Sequence, residues 1–129
     1  MDLDKYFKDT KGTGILATAD GEGRVDAAVY ARPHVMDQER VAFIMPDRLT
    51  HHNLQSNDHA VYLFMEEGAG YKGVRLFLTK MREETEGELI EAVRRSKYGA
   101  ACGEEEHCFF LVSFKVDKVL PLIGAEKDL

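Results

Sequence analysis

The apolar positions of the chain fall into short runs rather than long periodic stretches. At the start, Leu3, Tyr6 and Phe7 recur at helical spacing across Asp2–Asp9, and Gly12 and Gly14 close that helix off. Ile15–Ala19 reads as a short apolar strand, followed by Asp20-Gly-Glu-Gly23, a tight hairpin turn. From Arg24 the alternation is clean, with Val25, Ala27, Val29 and Ala31 on one face and Asp26, Ala28, Tyr30 and Arg32 on the other. Pro33, which has no N–H to give to a ladder, ends or bends this strand or marks it as an edge. A turn around Asp37 leads to Val41–Met45, apolar on both faces and hence predicted to be buried, and Ala60–Met65 has the same character.

Further along, Tyr71–Glu84 is long and alternating, setting Val74, Leu76 and Leu78 against Arg75, Phe77 and Thr79. Thr85-Glu-Gly-Glu88 has the form of a capping box and predicts a helix from Glu86 to Tyr98. In that helix Leu89, Ile90 and Val93 face the core, Arg94, Arg95 and Lys97 sit near the C-terminal dipole, and Gly99 is the stop. A last strand, Cys108–Val116, alternates Phe110, Val112 and Phe114 with Phe109, Leu111 and Ser113 and extends toward Ile123. The count is six strands, mostly antiparallel, with few helices. No alternation of strand and helix suggests a doubly wound sheet. The fold expected from pattern is mainly β, a small closed or partly closed barrel, in which closure removes sheet edges.

Composition narrows this picture without redirecting it. The 129 residues are 44% hydrophobic and 31% charged, as in soluble globular domains, and no linker or repeat divides residues 1–129 into more than one domain. A formal charge of −6 argues against a nucleic-acid partner. No run approaches the about 18 consecutive apolar residues of a membrane helix. The start Met1-Asp-Leu-Asp-Lys lacks the regions of a signal peptide, so the expected location is the cytoplasm. Cys102 and Cys108 flank His107, but three ligands at this spacing fall short of a four-ligand structural zinc site, and the cysteines read as reduced thiols.

The stretch between the two buried runs carries the candidate chemistry. Met45-Pro-Asp-Arg-Leu-Thr-His-His-Asn-Leu-Gln-Ser-Asn-Asp58 is longer than a turn requires. Thr50 reads as an N-cap, with a short helix over His51–Asn57 and Leu54 as its apolar contact. The free amides of such a first turn, with the helix dipole, suit an anion. Arg48 adds a planar fork of donors, and His51 or His52 adds more. The competing reading is a plain capped turn with solvated histidines. Adjacent histidines on a helix point about 100° apart, so a chelated metal is disfavoured. Beside the cluster, Ala27, Ala28, Val29 and Ala31, with Phe43, Ile44, Met45 and Pro46, form either ordinary core or an apolar shelf on which a flat ring can approach the backbone.

The order of these parts resembles the pyridoxamine 5'-phosphate oxidase-like, FMN-binding split-barrel family over nearly the whole chain, from Thr13 to Ile123. The likeness rests on Gly14-Ile-Leu-Ala-Thr-Ala-Asp-Gly21, on Val25–His34, on Val41–Leu54 and on Asn57-Asp-His-Ala-Val61. It implies a six-stranded antiparallel split β-barrel with short flanking helices. It also implies a homodimer with flavin at the interface, a role to which Tyr30, Arg32, Tyr71 and Phe77, large groups on polar faces, lend themselves. By the same resemblance Arg48 matches the first phosphate-binding residue, and Asn53 and Leu54 match the short helix. Thr50 stands where the family usually carries a phosphate-binding lysine, and Thr50, His51 and His52 are the candidates to replace it. The cofactor-binding candidates are therefore Ala28, Val29, Tyr30, Ala31, Ile44, Met45, Pro46, Arg48, Thr50, His51 and Asn53. The implied cofactor is FMN, with FAD as an alternative, and the implied activity is a flavin-dependent oxidoreduction of an unidentified small molecule. Vitamin B6 oxidation is not expected, because the chain lacks the basic C-terminal substrate pocket of true pyridoxamine phosphate oxidases. No side-chain acid–base pair stands out, so no catalytic residue is named. The alternative is a non-catalytic module of the same fold carrying FMN for electron transfer, haem or a deazaflavin.

Overall fold

The structure, a computed structural model, describes residues 1–95 and 109–124. Asp2 accepts the backbone N–H of Lys5 at 3.1 Å and so caps α1 (Leu3–Asp9), which buries Leu3 and Phe7. β1 (Gly12–Ala19) and β2 (Val25–Tyr30) form a hairpin whose turn is held by the Asp20 carboxylate, which accepts the N–H of Glu22 and of Arg24 at 2.9 Å each. Gly23 closes that turn with φ +83°, a conformation that costs glycine little. β3 (His34–Asp37) and β4 (Arg40–Pro46) form a second hairpin around Asp37. α2 (Leu49–Ser56), β5 (His59–Glu66), β6 (Gly73–Glu84), α3 (Glu88–Arg94) and β7 (Phe109–Pro121) complete the described residues.

Among the described residues, seven strands, not six, make one sheet in the order β2-β1-β5-β6-β7-β4-β3, with every neighbouring pair antiparallel. The extra strand is β3. Its four residues carry a single half-buried side chain, Val35, too little alternation to register as a strand in the sequence. The sheet is also open: β2 and β3 are its two edges. It nevertheless rolls around one core. Phe43 of β4 packs on Tyr62 of β5 at 4.9 Å and on Tyr30 at the end of β2 at 6.1 Å, although neither strand is its ladder neighbour. Tyr62 lies over Gly14, where a Cβ would overlap its hydroxyl, and donates to the carbonyls of Tyr30 (3.2 Å) and Ala31 (3.0 Å). That glycine thus admits the ring that ties the edge strand to the middle of the sheet.

Several expectations are revised by what covers each face. β4 is buried on both sides, as its composition predicts, because α3 lies on its outer side: Ala42 joins Ile90, Phe109 and Leu111 in a second apolar cluster. β5 instead alternates, burying Ala60, Tyr62 and Phe64 while Met65 is exposed. The apolar face of β2 points outward, leaving Val25 84% and Val29 75% exposed. The Thr85–Glu88 capping box does not form: α3 begins after Gly87 with no side-chain cap, and it spans Glu88–Arg94. β7 ends at Pro121, short of Ile123. Lys97, Tyr98, Gly99, Cys102, His107 and Cys108 lie outside the described residues. Among the described residues, no helix is long and apolar enough to cross a membrane.

Candidate functional site

α2 follows β4 after Pro46, and its first turn is uncapped by any side chain. The N-cap residue is Arg48, two residues earlier than the sequence suggests, and its exposed side chain makes no capping bond. Thr50 is not the cap. It is buried inside the first turn, and its hydroxyl reaches the Tyr30 phenol. Burial holds that phenol above its usual range, against the opposing pull of the Thr50 bond. Uncapped first-turn amides beside an exposed guanidinium are a suitable seat for an anion.

The rest of α2 is fastened largely by polar contacts. Asn53 is buried and donates to Thr18 Oγ1 of β1 at 3.1 Å. His51 is buried and stacked on Phe110 of β7, ring centroids 3.8 Å apart and planes 14° from parallel. Its Nδ1 lies 3.1 Å from Asp47 Oδ1 and its Nε2 3.0 Å from Glu83 Oε2 of β6. Gln55 donates to Glu83 Oε1 at 2.9 Å and lies 3.1 Å from His51 Nε2. Burial pushes the Glu83 carboxyl up, but Gln55, His51 and Lys80 outweigh it and hold it below the usual carboxylate range. At the other end of the helix Lys80 Nζ donates to the Leu54 carbonyl at 2.6 Å, a cation placed at the negative end of the dipole.

The sequence-derived candidates divide between three places. Tyr30, Thr50 and Asn53 gather where α2 bridges β2 and β1, with Ala28 half-buried on the same side of β2 as Tyr30 and with Arg48 at the mouth of the helix. Met45 is fully buried in the core, Pro46 is half-buried at the strand end, and Ile44 turns to the opposite side and packs in the α3 cluster. Val29 and Ala31 are exposed, Val29 pairing with Ile15 on the outer face and Ala31 giving its carbonyl to Tyr62. His52 is exposed, whereas both ring nitrogens of His51 already face carboxylates. Sequence reasoning missed Asp47, Glu83, Gln55 and Phe110. Asp47 and Gln55 stand four residues either side of His51, a spacing that a helix brings together; Glu83 and Phe110 come from distant strands and left no local signal. Among the described residues, no group of three or more His, Cys, Asp or Glu side chains is placed to hold a metal ion.

No family model matches the chain, and no curated protein matches it in sequence. Solved structures do match it. An FMN-binding protein from Syntrophomonas wolfei superposes with a TM-score of 0.74 at 16% identity, covering 97% of this chain and 86% of its own. The fold is that of the pyridoxamine 5'-phosphate oxidase-like split barrels. The haem storage protein HutZ from Vibrio cholerae matches at TM-score 0.65 and 20% identity, covering 93% of this chain and 94% of its own. An F420 reductase matches at 0.63 and 14%, covering 87% and 91%. At such identities the likeness is one of fold, which leaves the ligand to be argued from the site itself.

Proposed function

We propose that this chain is an FMN-binding split-barrel protein, with the phosphate held at the start of α2 by Arg48 and the first-turn amides. The observation that carries the reading is the uncapped N-terminus of α2 beside an exposed Arg48. β2 supports it. As an edge strand with Ala27 and Ala28 along it, β2 leaves alternate backbone groups unpaired by any strand and lets a flat ring come close. When bound, the flavin supplies the redox chemistry of an oxidoreductase acting on a small molecule, while these residues bind and orient it. The exposed Val25 and Val29 on the outer face favour a homodimer that covers them and brings its interface beside the flavin.

Calorimetric titration with FMN and with riboflavin tests the reading. FMN should bind more tightly, and the difference should shrink in Arg48→Ala, where only the first-turn amides remain. Equal affinity of the wild type for the two ligands would remove the phosphate site. Sedimentation should give a dimer that Val29→Glu converts to monomer. The second reading is a non-catalytic module for haem or a deazaflavin, favoured by the likeness to the haem storage protein and the F420 reductase. Absorption spectra after addition of each cofactor separate the three.

A further inference from the structure

His51 sits in the first turn of α2 with a carboxylate at each ring nitrogen: Asp47 from the link before the helix and Glu83 from the end of β6. Around it β7 contributes the Phe110 ring, Gln55 of the same helix bonds to Glu83, and Lys80 of β6 adds its charge behind Glu83. We propose that His51 is a positioning residue that makes anion binding at the start of α2 depend on pH, strongest while the imidazole carries both ring hydrogens. The proposal rests on the reading of that helix start as the phosphate site.

Hydrogen-bond supply and charge together set this dependence. An imidazolium donates through both nitrogens, whereas a neutral imidazole donates through one and presents a lone pair at the other. In the charged form His51 bridges Asp47 to Glu83 and so pins the residue preceding Arg48 to β6. In the neutral form one of the two bonds becomes a lone pair facing a carboxylate oxygen, or is replaced by donation from Gln55 Nε2 at 3.1 Å, and one carboxylate is let go. Whichever carboxylate is released, the Asp47–His51–Glu83 group passes from a net charge of about −1 to about −2 when the ring loses a proton. His51 is 9% exposed at the side chain, so solvent screens this change little. An anion at Arg48 and the first-turn amides shares the first turn of α2 with His51 and is opposed by that added negative charge.

The test compares FMN affinity in the wild type and in His51→Gln, which keeps a polar side chain but cannot carry the charge, from about pH 5 to about pH 8. The phosphate of FMN loses its own second proton in this range, but it does so for both proteins, so the ratio of the two affinities isolates His51. The ratio of wild-type to variant affinity should fall by about fivefold across the range, as for loss of one charge at a helix terminus. A merely structural His51 gives a ratio that is constant with pH, and that result overturns the proposal. By reciprocity, FMN should raise the midpoint of the His51 ring titration followed by NMR in the wild type, and riboflavin should not. Absence of that shift overturns the proposal even where His51→Gln fails to fold. Arg48→Ala run alongside separates the two claims: if Arg48 matters and the ratio is flat, only the role of His51 fails. If Arg48 is immaterial to FMN binding, the phosphate site itself fails and this proposal with it.

Discussion

α2 and α3 are helices of similar length laid on the same rolled sheet, and they are fastened by opposite means. α3 is held by grease: Ile90, fully buried, enters a cluster with Ala42, Phe109 and Leu111, and Ile44 and Val93 pack around it. α2 buries one apolar side chain completely, Leu54, and three polar ones, Thr50, His51 and Asn53. Apolar contact is non-directional and tolerates small shifts. Buried hydrogen bonds are directional and expensive to leave unmade, so they fix a helix in one place at a cost in stability. The difference separates a helix that shields the sheet from a helix whose end must be aimed.

The apolar fastening of α3 turns on Ile90. Ile90→Ala should cost about 2–5 kcal/mol of unfolding free energy, the usual range for truncating a buried isoleucine. Denaturant melts measure it, and a loss below about 1 kcal/mol would mean that α3 is not held by apolar packing. Next comes Arg48→Ala, which should weaken FMN by about 1.5–3 kcal/mol, the worth of a hydrogen bond to a charged group. The same substitution should leave the melting temperature of the ligand-free protein unmoved, since the side chain is exposed and caps nothing.

Asn53→Ala should cost about 1–3 kcal/mol, because it strands the buried Thr18 hydroxyl. It should also weaken FMN, since the helix then loses its bond to β1. An Asn53→Ala protein as stable as the wild type would show that the polar fastening is decorative. The smallest effect is expected at Glu83. Its carboxyl is held below the usual range in the folded state, so it stabilises the fold above the unfolded carboxylate range and loses that contribution as the pH falls through the folded value. Glu83→Gln should therefore flatten the acid limb of the stability curve below about pH 4. Thermal melts against pH read this directly, and an unchanged limb would mean the Glu83 contacts carry no net charge stabilisation.

The same contrast explains what could be read in advance. The apolar runs of β1, β4, β5, β6 and β7 announced themselves because burial on one or both faces leaves a pattern in neighbouring residues. β3 did not, having only Val35 to bury. α3 was visible through Ile90 and Val93, yet its start was misplaced, because Gly87 rather than Thr85 opens it. At the site, Arg48 and Asn53 stood out by sequence, but the role of Thr50 was misassigned: a threonine at a helix start looks like a cap until Tyr30 is seen to occupy its hydroxyl. The Glu83 and Phe110 contacts of His51 were illegible because both partners are brought there by strand pairing far along the chain.

The strand order has a consequence for how the molecule is made. β1 finds β2 at once and β5 soon after, so half of the sheet can assemble while the chain is still growing. β4 cannot. Its second neighbour is β7, the last of the described strands, and the ladder from Arg40↔Lys115 to Pro46↔Phe109 closes the longest loop in the sheet. Until β7 is synthesised, the β3–β4 hairpin carries an unpaired apolar edge through Val41, Phe43 and Met45. Docking of the final strand is then the slow, non-local step that joins two half-sheets into one. A ribosome paused before Phe109 holds a chain whose most aggregation-prone edge is still waiting for its partner.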